Sequence, residues 1–475
     1  MIMSLFFSMA EVVRYLSLEK EAISVGYSAA QSAFGEYNRP LWEDYGILAI
    51  DTDYGLNAGS MYLLEDTVSN YIEKDFVLED GGVDLLKLQV SEVATQDSVF
   101  LTDYDGAAFI KEAAKSVEGE LTEDALQALL GGCNECEEAS EEDIDVSDVL
   151  SNTQDFLNRT EKTDKEETVS VEQKPDNGEA KDQSGSIIAQ IKELESKGVL
   201  SQVTEDYDAV SGLAFSTDEC VSNRELRSGD GTVEHVTLPE RGLFQYYLTK
   251  NFSCYGEKAH DRGMAYELEY ILCGKPSDKE NLTKTVERIL AIREAENIIS
   301  LSSDKNKMAE IKSMATAASA VILHPELEEV VSYGIMAAWA YLESVLDVRL
   351  LLTGGKVSFV KSPQEWTSEL SQIETYMDVS VKAKNCDSGI SYKGYLFALF
   401  TLESQRKIAY RGLDLIEEAL HQNSDYAYAK ADHFLVESCV VTTFGASPLF
   451  LSFIPLYPNH YWEYRFVSKR KITYL

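Results

Sequence analysis

Two carboxylate pairs in this 475-residue chain have a spacing that could do chemistry. In AYELEYILCG, Leu268, Tyr270 and Leu272 alternate with Glu267, Glu269 and Ile271, a period of two that predicts a strand. Residues two apart on a strand share a face, so Glu267 and Glu269 would stand side by side and could offer an acid and a base to a glycan. With 81 acidic residues in the chain, such a pair also arises by chance and then simply faces water. Glu343 and Asp347 lie four apart in the apolar helix pattern GIMAAWAYLESVLDVRLLL, one above the other, with Arg349 close behind. Charges in that setting need partners, and Arg293 in AIREAEN is the expected one. Arg293, Glu343, Asp347 and Arg349 therefore read as a structural polar network before they read as a catalytic site.

Other chemistries find less support. The pairs Gly274-Lys275 and Gly355-Lys356 lack both the glycine five residues upstream and the Ser or Thr after lysine that a phosphate-cradling loop requires, and read as turns. GxSxG, HExxH and kinase signatures are missing. The histidines, His235, His260, His324, His421, His433 and His460, are dispersed without ligand spacing. Cys133 and Cys136 form one CxxC, but no second CxxC or nearby histidine completes a zinc site. Cys254 and Cys273 could pair in an oxidising compartment or stay as buried thiols. No catalytic, cofactor-binding or metal-binding residue is assigned, and no cofactor is expected.

The elements that would position these groups follow from patterning. Ile2, Leu5, Phe6, Met9, Val12, Val13 and Leu16 recur at three- and four-residue steps, continued by Ala22, Val25, Ala29, Ala33 and Phe34, which predicts one long helix stopped at Pro40. Its charge-free part ends at Glu11, too short for a span of about 20 residues. Leu41, Trp42, Tyr45, Ile47, Leu48 and Ile50 form a dense docking segment. Further helices are predicted over 61–76, 107–130 (closed by Gly131 and Gly132), 187–200, 238–255, from Ser277 to about 301 behind a Ser277–Glu280 capping box, 304–323, 325–352 from Pro325, and 391–421 as one bent helix or two. Strands are predicted in KLQVSEV paired with DSVFLTD, in KVSFVKS, and in HFLVESCVVTTF and YWEYRFVSKRKITYL, with Lys469, Arg470 and Lys471 on a basic edge.

The fold class expected is α+β: a long N-terminal pilin-like helix, then a mixed helix and antiparallel-sheet body with a largely helical centre. The division expected is 1–51 helix and docking segment, 52–132 a small α+β domain, 133–185 an acidic linker without a core, and 186–475 the main body. The formal charge of -39, from 42 basic and 81 acidic residues, argues against binding nucleic acid.

The segments EYNRPLWEDYGILAID, AYELEYILCGKPSDKENL, ILAIREAENIISLSSD, AAWAYLESVLDVRLLLTGGKVSFVK with the following Trp366, and ISYKGYLFALF with the later RGLDLIE resemble an uncharacterised family of bacterial envelope proteins found with tight-adherence (Tad) type IV pilus genes of Gram-positive bacteria. The layout is similar to TadE-type pseudopilins, in which a hydrophobic span precedes an acidic residue and an arginine; Glu11 and Arg14 match these. The resemblance implies a non-enzymatic structural or assembly protein, extracytoplasmic and anchored to the cytoplasmic membrane or cell surface by a helix whose anchor is cut short at Met1. Leu5, Phe6, Met9, Glu11, Val13, Arg14 and Gly26 would form the assembly interface toward other pilus or envelope proteins. Tyr37, Trp42 and Tyr45 would dock the helix on the body. The alternatives are an envelope glycan or peptidoglycan hydrolase using the paired carboxylates, and a surface adhesin or ligand-binding module.

Overall fold

Apolar periodicity and cap residues account for most of the helices in the computed structural model. It describes residues 2–56, 59–76, 84–120, 191–260 except 192 and 195, 262–322, 328–451 and 463–475. The expected acidic linker, Cys133, Cys136, the stop signals Gly131 and Gly132, and Pro325 lie outside these residues.

The chain opens with α1 (Ile2–Phe34), then α2 (Arg39–Tyr45), β1 (Ile50–Asp51), α3 (Tyr62–Asp75), β2 (Gln89–Phe100) and α4 (Asp103–Val117). Pro40 does not merely stop α1. It occupies the first turn of α2, where its missing donor costs nothing, behind Asn38, whose side chain accepts from Leu41 N at 3.0 Å. The expected strand pair over 85–101 is the single strand β2. Asp97 is forced to φ 52° beside a register shift between Gln96 and Val99, and that bulge splits the alternation in two.

The helical part follows: α5 (Val199–Val203), α6 (Leu238–Asn251), α7 (Glu267–Cys273), α8 (Asp278–Ser303), α9 (Lys305–Ile322) and α10 (Glu328–Leu352). Then come β3 (Lys356–Val357), α11 (Ile373–Tyr376), β4 (Ile390–Ser391), α12 (Tyr392–Leu402) and α13 (Gln405–His421). Ser277 caps α8 as expected, accepting from Glu280 N. The strand expected in AYELEYILCG is the helix α7, ended by Gly274 at φ 63°. Glu267 through Leu272 are all buried, so no wet face exists to set a period and the alternation carries no information. KVSFVKS contributes only the two residues of β3, paired with β4.

The chain closes with β5 (Phe434–Ala446) and β6 (Tyr464–Thr473). β5 is the centre of an antiparallel sheet: Cys439 pairs with Gln96 of β2 on one side and Lys471 of β6 on the other, while β1 meets β5 at Leu435. The segment expected as a separate domain at 52–132 thus shares its sheet with the last strands of the chain. On one face of the sheet, Leu435, Val440, Phe444 and Phe466 pack with Leu18, Val25 and Phe34 of α1 and Leu64, Val68 and Ile72 of α3. Phe434 and Val436 point the other way, into a core built by α4, α6, α7, α8, α10, α12 and α13. The fold is α+β, with a long N-terminal helix laid on an antiparallel sheet and a helical body behind it.

Candidate functional site

α1 changes character at Glu11 and Arg14. From Leu18 onward it presents Ala22, Gly26, Ala29, Ala30 and Ala33 to the sheet, and the small side chains permit close approach. A Cβ on Gly26 would fall 2.7 Å from both Cβ and Oγ of Ser468 on β6. Gly26, expected at an assembly interface, is therefore committed to the chain's own sheet. Full burial of Leu18, Val25 and Phe34 contributes about 1.5–3 kcal/mol each.

The junction is a polar clamp. Glu11 and Arg14 are only 2% and 4% exposed, with Arg14 Nη1 2.9 Å from Glu11 Oε1. Arg14 donates to the carbonyls of Leu85 at 2.7 Å and Ser447 at 3.0 Å, and also to that of Leu86. Glu11 Oε2 accepts from the backbone N–H of Leu449 at 3.1 Å and Phe450 at 2.6 Å. One ion pair thus ties together the helix, the entry to β2 and the exit from β5. Sequence spacing singled out the two residues, but their carbonyl and amide partners lie 71 to 439 positions away and left no local signal.

N-terminal to the clamp the apolar stripe lies on the side of α1 away from the sheet and enters no core among the described residues. Ile2, Met3, Leu5, Phe6 and Met9 are between 63% and 86% exposed, and Val12, Val13 and Leu16 remain exposed beside the clamp. At 1.5 Å per residue, Ile2 to Ala10 extends about 14 Å. Among the described residues no helix is long and apolar enough to cross a membrane.

The docking segment behaves differently from expectation at one residue. Tyr45 is buried and its ring stands 5.8 Å from that of Phe252, and Tyr247 donates to the Tyr45 carbonyl at 2.9 Å. Tyr37 is half-buried. Trp42 is 43% exposed and only meets the Tyr37 ring edge-on at 6.4 Å; Leu41 and Ile47, buried without remainder, do the docking instead, because α2 turns the tryptophan outward.

The four residues expected to form one polar network divide between two clusters. Arg293 Nε and Nη2 donate to Asp347 Oδ2 at 3.0 and 2.8 Å, and its Nη1 reaches Tyr395 Oη and the carbonyls of Ser358 and Phe359, each at 3.0 Å. Glu296 joins the same guanidinium, and burial pushes its carboxyl up to about 7. Lys361, which sequence reasoning missed because it sits on the loop after β3, pairs with Glu343 and lies 2.5 Å from Asp347 Oδ1. Glu343 also accepts from the amides of Thr367 at 3.0 Å and Ser368 at 2.8 Å. Arg349 belongs elsewhere: it donates to the carbonyls of Gln202, Tyr376, Asp378 and Val381, and burial lowers its pKa to about 10.

Glu267 and Glu269 are buried on α7 rather than displayed on a strand. Glu269 accepts from Tyr255 N at 2.9 Å and Tyr392 Oη at 2.7 Å, and burial raises it to about 7. Glu267 Oε2 accepts from Ser253 N at 2.7 Å and Ser253 Oγ at 2.9 Å and lies 2.9 Å from His260 Nδ1. Cys254 and Cys273 are free thiols.

A family of unknown function, DUF5702, matches residues 177–446. The chain belongs to this family. No curated protein and no solved structure matches it. The DUF5702 stretch contains the Arg293 network and α7 and ends with β5. Among the described residues every strand that pairs with β5 lies outside the stretch, so the family region completes its sheet with residues from both flanks, and α1 belongs to one of those flanks.

Proposed function

We propose that this DUF5702 chain is a non-enzymatic assembly component of a bacterial cell envelope, a minor pseudopilin-like protein of a tight-adherence pilus that works outside the cytoplasmic membrane. One observation carries the reading: α1 is anchored by a buried ion pair and small residues on an antiparallel sheet, while its first turns hold out Leu5, Phe6, Met9 and Val13. Such a helix stores its apolar surface for a partner. Equivalent helices of other pilus or envelope proteins can bury it by ridge-into-groove packing, and the cytoplasmic membrane can receive it where further apolar residues extend it. The acidic body keeps the molecule in water and away from phosphate backbones.

The glycan-hydrolase alternative draws no support from the carboxylates first considered for it. Glu267, Glu269, Glu343 and Asp347 are all sealed inside the body, and each binds internal donors.

The test is association of the full chain in detergent-free buffer, by sedimentation, together with flotation on lipid vesicles. The expected result is self-association or vesicle binding that the combined Leu5→Asp, Phe6→Asp and Met9→Asp variant abolishes while its circular dichroism keeps the native shape. A chain that stays monomeric and off vesicles at about 100 μM, tighter binding than that being usual for specific interfaces, overturns the reading.

A further inference from the structure

A cleft of about 1040 Å³ opens where the loop before α7 meets the end of α13, lined in part by Asp44, Lys258, His260, Arg262, Asn423 and Ser424. Its composition is out of character for the molecule. In a chain with nearly twice as many acidic as basic residues, three nitrogen-bearing side chains from five consecutive positions converge on one concavity. We propose that this cleft binds a small oxyanion, a phosphate or carboxylate group, through Lys258, His260 and Arg262.

Three features of the wall support a built site. His260 is backed by Glu267, a carboxylate with no exposure at all, which lies 2.9 Å from Nδ1 and accepts two further bonds from Ser253 on the same oxygen. A buried carboxylate of this kind fixes the imidazole plane and holds the Nδ1 proton. That leaves Nε2, which meets no protein partner among the described residues, as the nitrogen that faces a ligand, and an oxyanion is met by the doubly protonated ring, whose Nε2–H donates to it while Nδ1–H stays with Glu267; the ring is 40% exposed. The other Glu267 oxygen, Oε1, is buried without a hydrogen bond, so the carboxylate is underused by the fold and its connection to the surface is His260.

Arg262 is similarly held in place. Its guanidinium lies 4.5 Å over the Tyr45 ring centroid, and Nη1 donates to the Asn251 carbonyl at 3.3 Å. Stacking and one backbone bond orient the planar fork without using all five of its donors. The competing carboxylate, Asp44, is 4.0 Å from Nη2 and more than half exposed, a geometry in which an ion pair is weak and readily exchanged. Lys258 adds a mobile charge at the rim, and Asn423 and Ser424 add neutral polar groups. The arrangement is one fixed fork, one oriented imidazole and one flexible ammonium, which suits an anion with several oxygens.

The site is independent of the α1 surface. The test titrates the full-length protein with inorganic phosphate, and in parallel with citrate, by calorimetry at low salt and by thermal shift. The expected result is saturable binding of one probe with a rise in Tm, weakened by at least about tenfold in Arg262→Gln and in His260→Gln, in line with the loss of a charge-assisted bond. Lys258→Gln, at the rim, weakens binding about threefold and steepens no other property. Glu267→Gln, which keeps the shape but not the charge, is expected to weaken binding without removing it. Preference for phosphate or for citrate identifies which oxyanion the cleft fits. Absence of saturable binding of either probe up to about 20 mM, or binding that all the variants retain unchanged while they stay folded by circular dichroism, overturns the proposal.

Discussion

Two helices, α10 and α1, treat hydrophobicity and charge in opposite ways. α10 buries Glu343, Asp347 and Arg349 along with its leucines, whereas the start of α1 exposes Leu5, Phe6 and Met9 beside a buried Glu11–Arg14 pair. Composition alone does not produce this inversion. The second half of α10 is buried from Leu342 to Arg349, and its charges survive there because Arg293, Lys361 and a set of backbone amides and carbonyls were brought to them. At the start of α1, Leu5, Phe6 and Met9 enter no core among the described residues and stay in water although their pattern is that of a core helix. Burial is decided by what the rest of the chain supplies, and the residues that look most alike in sequence can end in opposite environments.

Removing one member of the α10 network should give the largest effect. Arg293→Met leaves Asp347 and Glu296 buried without their guanidinium and is expected to cost about 3–5 kcal/mol in urea unfolding. A loss under about 1 kcal/mol would show that the pair is weakly coupled to the fold. Next comes the contact between helix and sheet: Gly26→Ala should cost about 1–3 kcal/mol, because the new methyl group meets Ser468 at 2.7 Å. Adding Ser468→Gly should recover most of that loss, and no recovery would assign the cost to the helix backbone instead.

Acidity provides a third comparison. Burial raises Glu112, Glu269 and Glu296 to about 7 and Asp414 to about 6, above the range near 4 of an unfolded carboxyl. The native state therefore binds more protons between those values. The stability they contribute is complete below about pH 4 and is lost as pH rises to about 7, by at most about 1.4 kcal/mol per pH unit for each group. The urea midpoint should climb between about pH 7.5 and 5.5, and Glu269→Gln should flatten the climb; an unchanged slope would show that general charge repulsion dominates. The smallest effect is reserved for the exposed stripe, where Leu5→Ser, Phe6→Ser and Met9→Ser should each leave stability within about 0.5 kcal/mol even where association is lost. A cost above about 2 kcal/mol would mean that the stripe is packed in solution.

Much of the skeleton was legible because its signals were local. The α1 stripe, the Ser277 cap and the four-residue spacing of Glu343 and Asp347 all depend on neighbours within a turn or two. α7 was misread because burial on all sides erased the polar face that gives a period its meaning. β2 was misread as a pair because one left-handed residue, Asp97, interrupts it. Lys361, the carbonyl partners of Arg14 and the pairing of His260 with Glu267 were invisible for another reason. They depend on where loops arrive in space, which no short-range pattern encodes.

The sheet under α1 has a consequence for the order in which the molecule can be made. The helix leaves the ribosome well ahead of the sheet it lies on: the Phe444 and Phe466 rings it packs against, and the Tyr474 hydroxyl that donates to the Phe34 carbonyl, come some 440 residues later. At about 5–20 residues per second, α1 spends roughly 20–90 s with α3 as its early packing partner and the sheet strands still to come. During that interval the face that will meet the sheet and the exposed apolar residues on the opposite side of the helix are both open to other contacts. Whatever receives the nascent helix first, a chaperone or a lipid surface, does so before the chain can distinguish the part it will keep from the part it will offer.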